Sequence, residues 1–136
     1  MLLGLIALTY GAAQAAGTDK TAYLDIPAAD GEYVLVGASF VPDGDGAVTT
    51  SDTNYVTLSI KVGTTTLGTF NTKVTGGAAM VAGTRRAFTL SGGASLEFTA
   101  SSDVVSIVQA NSGTGAVVKG SYTLLFAKKQ ADSYNV

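Results

Sequence analysis

The chain has 136 residues, a length that suits one domain with a core of its own. Only 13% of the residues are charged, the net charge is −2, and no basic cluster exceeds the pairs Arg85-Arg86 and Lys128-Lys129, so the cationic stripe that binds nucleic acid is excluded. Cysteine, histidine and tryptophan are absent, which excludes disulfides, thiolate or imidazole catalysis and the common zinc sites.

Residues 1–17, MLLGLIALTYGAAQAAG, form an apolar N-terminal arm. Leu2 to Leu8 could serve as the apolar region of a secretion signal, and Ala13-Gln14-Ala15 has the form of a cleavage site. The cationic leader of such a signal is missing, because the first basic residue is Lys20. Gly4, Thr9, Gly11 and Gln14 interrupt the run, which is too short to span a membrane. Leu2, Leu3, Leu5, Ile6, Leu8 and Tyr10 would be a liability in water. They are expected to pack as a first strand on their own domain or as an arm on a neighbouring subunit.

From residue 18 to 128 the pattern is strand and turn. Thr21–Ile26 reads as a strand, and Tyr33–Val41 is apolar on both faces, as suits a central strand covered on both sides or, equally, one that faces the N-terminal segment or a partner chain. Asn54–Val62 alternates strictly, with Val56, Leu58, Ile60 and Val62 on one face and Tyr55, Thr57, Ser59 and Lys61 on the other. Thr65–Lys73 follows it. Ala87–Leu90 and Ser95–Thr99 alternate so as to place Phe88, Leu90, Leu96 and Phe98 inward. Val104–Val108 is again apolar on both faces, and Tyr122, Leu124 and Phe126 point inward near the end. Asp30-Gly31, Pro42-Asp43-Gly44, Gly76-Gly77, Gly92-Gly93 and Asn111-Ser112-Gly113 supply the turns. About eight short strands with such punctuation indicate an all-β, antiparallel β-sandwich of jelly-roll type. An immunoglobulin-like sandwich is the alternative, although its Cys–Trp–Cys signature is absent. Residues 129–136 form a polar C-terminal tail.

Few residues are candidates for chemistry. Asp43 and Asp45 begin a calcium-loop pattern that fails at Ala47, Val48 and Asn54, so PDGDGAVTTSDTN (42–54) reads as a connecting loop. Glu32 and Glu97 are the only glutamates. Alternation turns Glu97 to the solvent side of its strand, and nothing in the spacing brings it to Glu32. Serine has no G-x-S-x-G elbow and no histidine to activate it. No catalytic site, cofactor or metal is expected. Arg85 and Arg86 stand out in so uncharged a chain, either as a solvated strand end or as an interface anchor.

The segment SDTNYVTLSIKVGTTTLGTF (51–70) resembles a pattern of small virion structural proteins of tailed bacteriophages, in which a D-T-N-Y-V-T-L-like strand passes through a Gly turn into a Thr-rich strand. AGTRRAFTL (82–90) is similar to their next short strand, SIVQANSGTGAVVKGSYTLLF (106–126) to their closing hairpin, and EYVLVGASFVPDG (32–44) to their opening strand. The resemblance covers residues 20–127. The chain departs from it at Ser102-Asp103, where many relatives have Gly-Asp, and in its hydrophobic N-terminus. It implies a capsid decoration (cement) or head-fibre protein, often trimeric, on the capsid surface. The implied partner is the major capsid protein or another virion protein. A carbohydrate- or receptor-binding module and a secreted surface subunit are the competing expectations.

Overall fold

The computed structural model describes residues 19–24, 32–92, 97–99, 104–114, 116 and 118–128. They form nine strands: β1 (Lys20–Leu24), β2 (Glu32–Pro42), β3 (Val56–Val62), β4 (Thr65–Asn71), β5 (Arg86–Ala87), β6 (Thr89–Leu90), β7 (Glu97–Thr99), β8 (Val105–Asn111) and β9 (Gly120–Lys128). No helix occurs among these residues. Every pairing is antiparallel. The larger sheet has the order β1-β8-β3-β4-β6. The smaller is centred on β2, with β9 along one edge and β5 and β7 sharing the other. Two antiparallel sheets with one buried cluster between them make this an antiparallel β-sandwich.

Alternation explains β3 and β9 directly. Val56, Leu58 and Ile60 are fully buried while Thr57, Ser59 and Lys61 face out half-exposed. Tyr122, Leu124 and Phe126 are likewise buried. The two doubly apolar segments behave differently from the expectation of cover on both sides. Both are central in their sheets, yet Val36 is 48% exposed and Val104, at the head of β8, 56%. In β2 the cause is a β-bulge. The register steps from Leu35↔Phe126 to Gly37↔Leu125, so Val36 has no partner and the inward set changes parity. Tyr33 and Leu35 point in before the bulge, and Ala38, Phe40 and Pro42 after it. An apolar run on both parities is therefore one inward set spliced across a bulge, plus an outward set of valines.

The five residues Arg86–Leu90 do not form one strand. Arg86 and Ala87 pair with β2 of the small sheet, and Thr89 and Leu90 pair with β4 of the large sheet. Phe88 lies between them, buried, with its amide donating to the Ala38 carbonyl at 3.0 Å. A strand that switches sheets closes the sandwich at that corner. The ring of Phe88 then lies 6.4 Å from both Phe70 and Tyr122, and Tyr122 lies 4.6 Å from Phe40, so a run of aromatics ties the two sheets together.

Past the end of β4, fully buried Thr72 continues the ladder with its side chain. Its Oγ1 accepts from the Val56 amide at 3.0 Å, its own amide donates to the Val56 carbonyl, and its carbonyl accepts from Ser51. Thr72→Val keeps the shape but leaves the Val56 N–H buried without an acceptor. The expected loss is about 1–3 kcal/mol, read as a lower denaturation midpoint with unchanged slope. An unchanged midpoint would show that the hydroxyl is dispensable.

Candidate functional site

The polar residues of the segment that carries the phage resemblance form a structural corner. Ser51 Oγ accepts from the amides of Thr53 (3.2 Å) and Asn54 (2.9 Å), the pattern of a Ser-capped turn. Asp52 accepts from the Val74 amide at 3.2 Å. Asn54 Oδ1 accepts from both the amide and the hydroxyl of Thr114, at 2.9 and 3.1 Å, and so holds the turn after β8. Lys73 lies 4.5 Å from the centre of the Tyr55 ring. A hydrogen bond with Ser112, then Lys73, draws the Tyr55 phenol below its ordinary pKa. Ser51, Asp52 and Asn54 thus direct their side-chain acceptors at backbone amides, clamping two loops to one end of the large sheet.

The loop read as a failed calcium site is occupied by a cation of the protein's own. Lys119 Nζ lies 3.2 Å from Asp45 and 3.5 Å from Asp43. Asp43 Oδ1 also accepts from the Asp45 amide, closing a tight turn. Asp45 and then Asp43 raise the Lys119 pKa above its ordinary value, so the amine is charged through the neutral range. Among the described residues no acidic or other metal-ligating group forms a cluster of three. The loop is anchored further by Val48 and Met80, both buried, which exchange amide hydrogen bonds at 2.9 and 2.8 Å.

The two arginines divide. Arg86 is half-buried on the Phe40 side of β5, and its Nε donates to the Ala79 carbonyl at 2.7 Å, which makes it an internal brace. Arg85 is exposed. The two glutamates, expected to lie apart, are brought together by register. Glu97 on β7 sits opposite Val34, two residues along β2 from Glu32, which pairs with Thr99. That is a diagonal position, where Cα atoms lie about 7–8 Å apart. Glu32 is exposed, and it lines neither of the two grooves described below. The pairing of β2 with β7 spans more than sixty residues of chain and has no local signal. Leu2, Leu3, Leu5, Ile6, Leu8, Tyr10 and Leu96 lie outside the described residues, as does the tail.

The outer faces of the two sheets differ in kind. The large sheet turns Thr21, Tyr23, Thr57, Ser59, Lys61, Ser106 and Val108 outward. A shallow groove of about 680 Å³ there is lined by Thr21, Lys61, Ser106 and Val108 together with the exposed apolar side chains of Tyr23 and Val104. Hydroxyls and a lysine are what a solvent-facing sheet carries. The small sheet turns out Val34, Val36, Val41, Leu125 and Ala127, with Ser39, Ser121 and Thr123 between. From 34 to 41 in β2 and from 121 to 127 in β9 there is no charged residue. Leu125 lies over Gly37, where a Cβ would meet its Cδ1 at 3.2 Å. A second groove of about 400 Å³, lined by Val41, Pro42, Lys119 and Gly120, adjoins the Val41 end. Apolar surface rimmed by polar groups marks an interaction site, and this face is the strongest candidate on the described residues.

No helix among the described residues is long and apolar enough to cross a membrane. Comparison of the chain with protein-family models, with characterised proteins and with solved structures found no match.

Proposed function

We propose that the chain is a non-enzymatic virion structural protein, most specifically a capsid decoration (cement) protein that covers or stabilises a phage head through protein–protein contacts. The observation that carries this reading is the charge-free stretch of Val, Leu and Ala that residues 34–41 of β2 and 121–127 of β9 turn outward from the small sheet. A structural subunit works by removing such surface from water against its neighbours, and permanent interfaces are the more apolar ones. The low overall charge supports the same reading, since isolated soluble proteins ordinarily carry more. The resemblance over residues 20–127 supplies the virion setting and, with it, a trimer and a capsid lattice as partners.

Deletion of residues 1–16 tests this. The expected result is a β domain with an unchanged far-ultraviolet dichroism spectrum that no longer binds particles. Absence of particle binding by the full-length chain would overturn the reading.

A further inference from the structure

We infer that the outer face of the small sheet receives residues 2–10, LLGLIALTY, from a second copy of the chain. This rests on the structural-subunit reading above and names the surface and its occupant.

The face needs cover that its own sandwich does not provide. The bulge at Val36 forces an outward valine, 48% exposed in the single chain, into the middle of a strand that already turns Val34 and Val41 outward. β9 adds Leu125 and Ala127 beside them. The large sheet's outer face also exposes Tyr23 and Val104, but these stand around one groove with Thr21, Lys61 and Thr64, beside a charge and not in a charge-free stretch.

Size decides against simple stacking of two such faces. A nine-residue strand is about 30 Å long, and three strand positions are about 14 Å wide, so the face offers roughly 400 Å². A stable interface takes about 800 Å² per partner. An arm that adds its own apolar surface makes up the difference.

The N-terminal segment matches the face in chemistry and in length. No charge occurs before Asp19, and Leu2, Leu3, Leu5, Ile6, Leu8 and Tyr10 supply the apolar side chains. Nine extended residues also span about 30 Å, the length of β9. The segment's root is fixed, because Asp19 accepts from the Asn111 amide at 2.7 Å at one end of the large sheet. Residues 11–18, GAAQAAGT, are a small-residue tether that reaches about 27 Å when extended, well beyond the roughly 10 Å between packed sheets. An arm rooted on the large sheet can therefore leave its own sandwich and lie on the small sheet of a neighbour.

The absence of cysteine makes the test clean. Chains carrying Leu5→Cys or Ile6→Cys, adjacent positions that face opposite ways in an extended segment, are mixed in full-length form with chains carrying Val36→Cys. Disulfides form only where Cα atoms approach to about 4.4–6.8 Å. The expected result is a mixed disulfide dimer from one of the two arm variants, at least tenfold above that formed with Ser59→Cys on the opposite sheet. Val36→Asp should also weaken self-association at least tenfold, because a charge would be buried without a partner. Equal cross-linking to Val36→Cys and Ser59→Cys overturns the inference, as does a bond that forms only within one chain carrying both substitutions. An oligomer that gives no mixed disulfide overturns the arm's placement and leaves the structural-subunit reading standing. A monomer at every concentration, with no particle binding, overturns both.

Discussion

Phe40→Ala is expected to lower stability by about 3–5 kcal/mol, the range for removing a fully buried aromatic and leaving a cavity. Phe40 has no solvent exposure, and its ring centre lies 4.6 Å from that of Tyr122, the two planes tilted by 41°. It sits on β2, the central strand of the small sheet, opposite Tyr122 on one side and Arg86 on the other. Loss of the ring thus removes a cross-strand aromatic pair and part of the layer that meets Phe88. Total stabilities of single domains run to about 5–15 kcal/mol, so roughly a fifth or more of the fold's margin is at stake. At about 4 °C per kcal/mol, the melting temperature should fall by roughly 12–20 °C. Val36→Ala, at the bulge of the same strand and turned outward, should change the unfolding free energy by no more than about 0.5 kcal/mol in the dissociated chain. Equal losses at the two positions would refute the assigned bulge, since they would place Val36 in the core.

Gly120→Ala should be nearly as severe, for a different reason. Gly120 opens β9 opposite Pro42, and a Cβ there would stand 2.2 Å from the Val41 carbonyl oxygen and 2.8 Å from both Phe40 Cζ and Pro42 Cα. Two of those three atoms are backbone, so the strands themselves must separate. The same crossing is crowded from its other side, where a Cβ on Gly46 would lie 1.9 Å from the Lys119 carbonyl oxygen. The Asp43–Gly46 turn and the start of β9 are pressed together, which is how Lys119 comes to stand between two aspartates. A loss of about 3 kcal/mol is expected for Gly120→Ala by chemical denaturation, the upper end of the range where overpacking forces backbone movement. Gly44→Ala, where nothing lies within 4 Å of the added carbon, is the matched control and should be neutral. Comparable behaviour of the two alanines would mean that β9 does not approach the loop as closely as described.

What could be read without coordinates was local. Period-two alternation exposes one face of each strand, so the buried sets of β3 and β9 were legible residue by residue, as was the all-β class. The failure of the calcium-loop pattern was legible too, because ligand spacing is a property of one short segment. Four other features were decided by the tertiary structure. Val36 leaves the core because β9 offers one residue fewer than β2 at the bulge. Arg86–Leu90 divides between sheets because β2 and β4 each supply a free edge to half of it. Glu32 and Glu97 become diagonal neighbours, and Lys119 pairs with both Asp43 and Asp45, only after strands distant in sequence have paired. The common reason is that side-chain periodicity reports which way a residue points within its own strand. It carries no information about which strand lies alongside, and so the uncharged face formed jointly by β2 and β9 came into view only with the sheet.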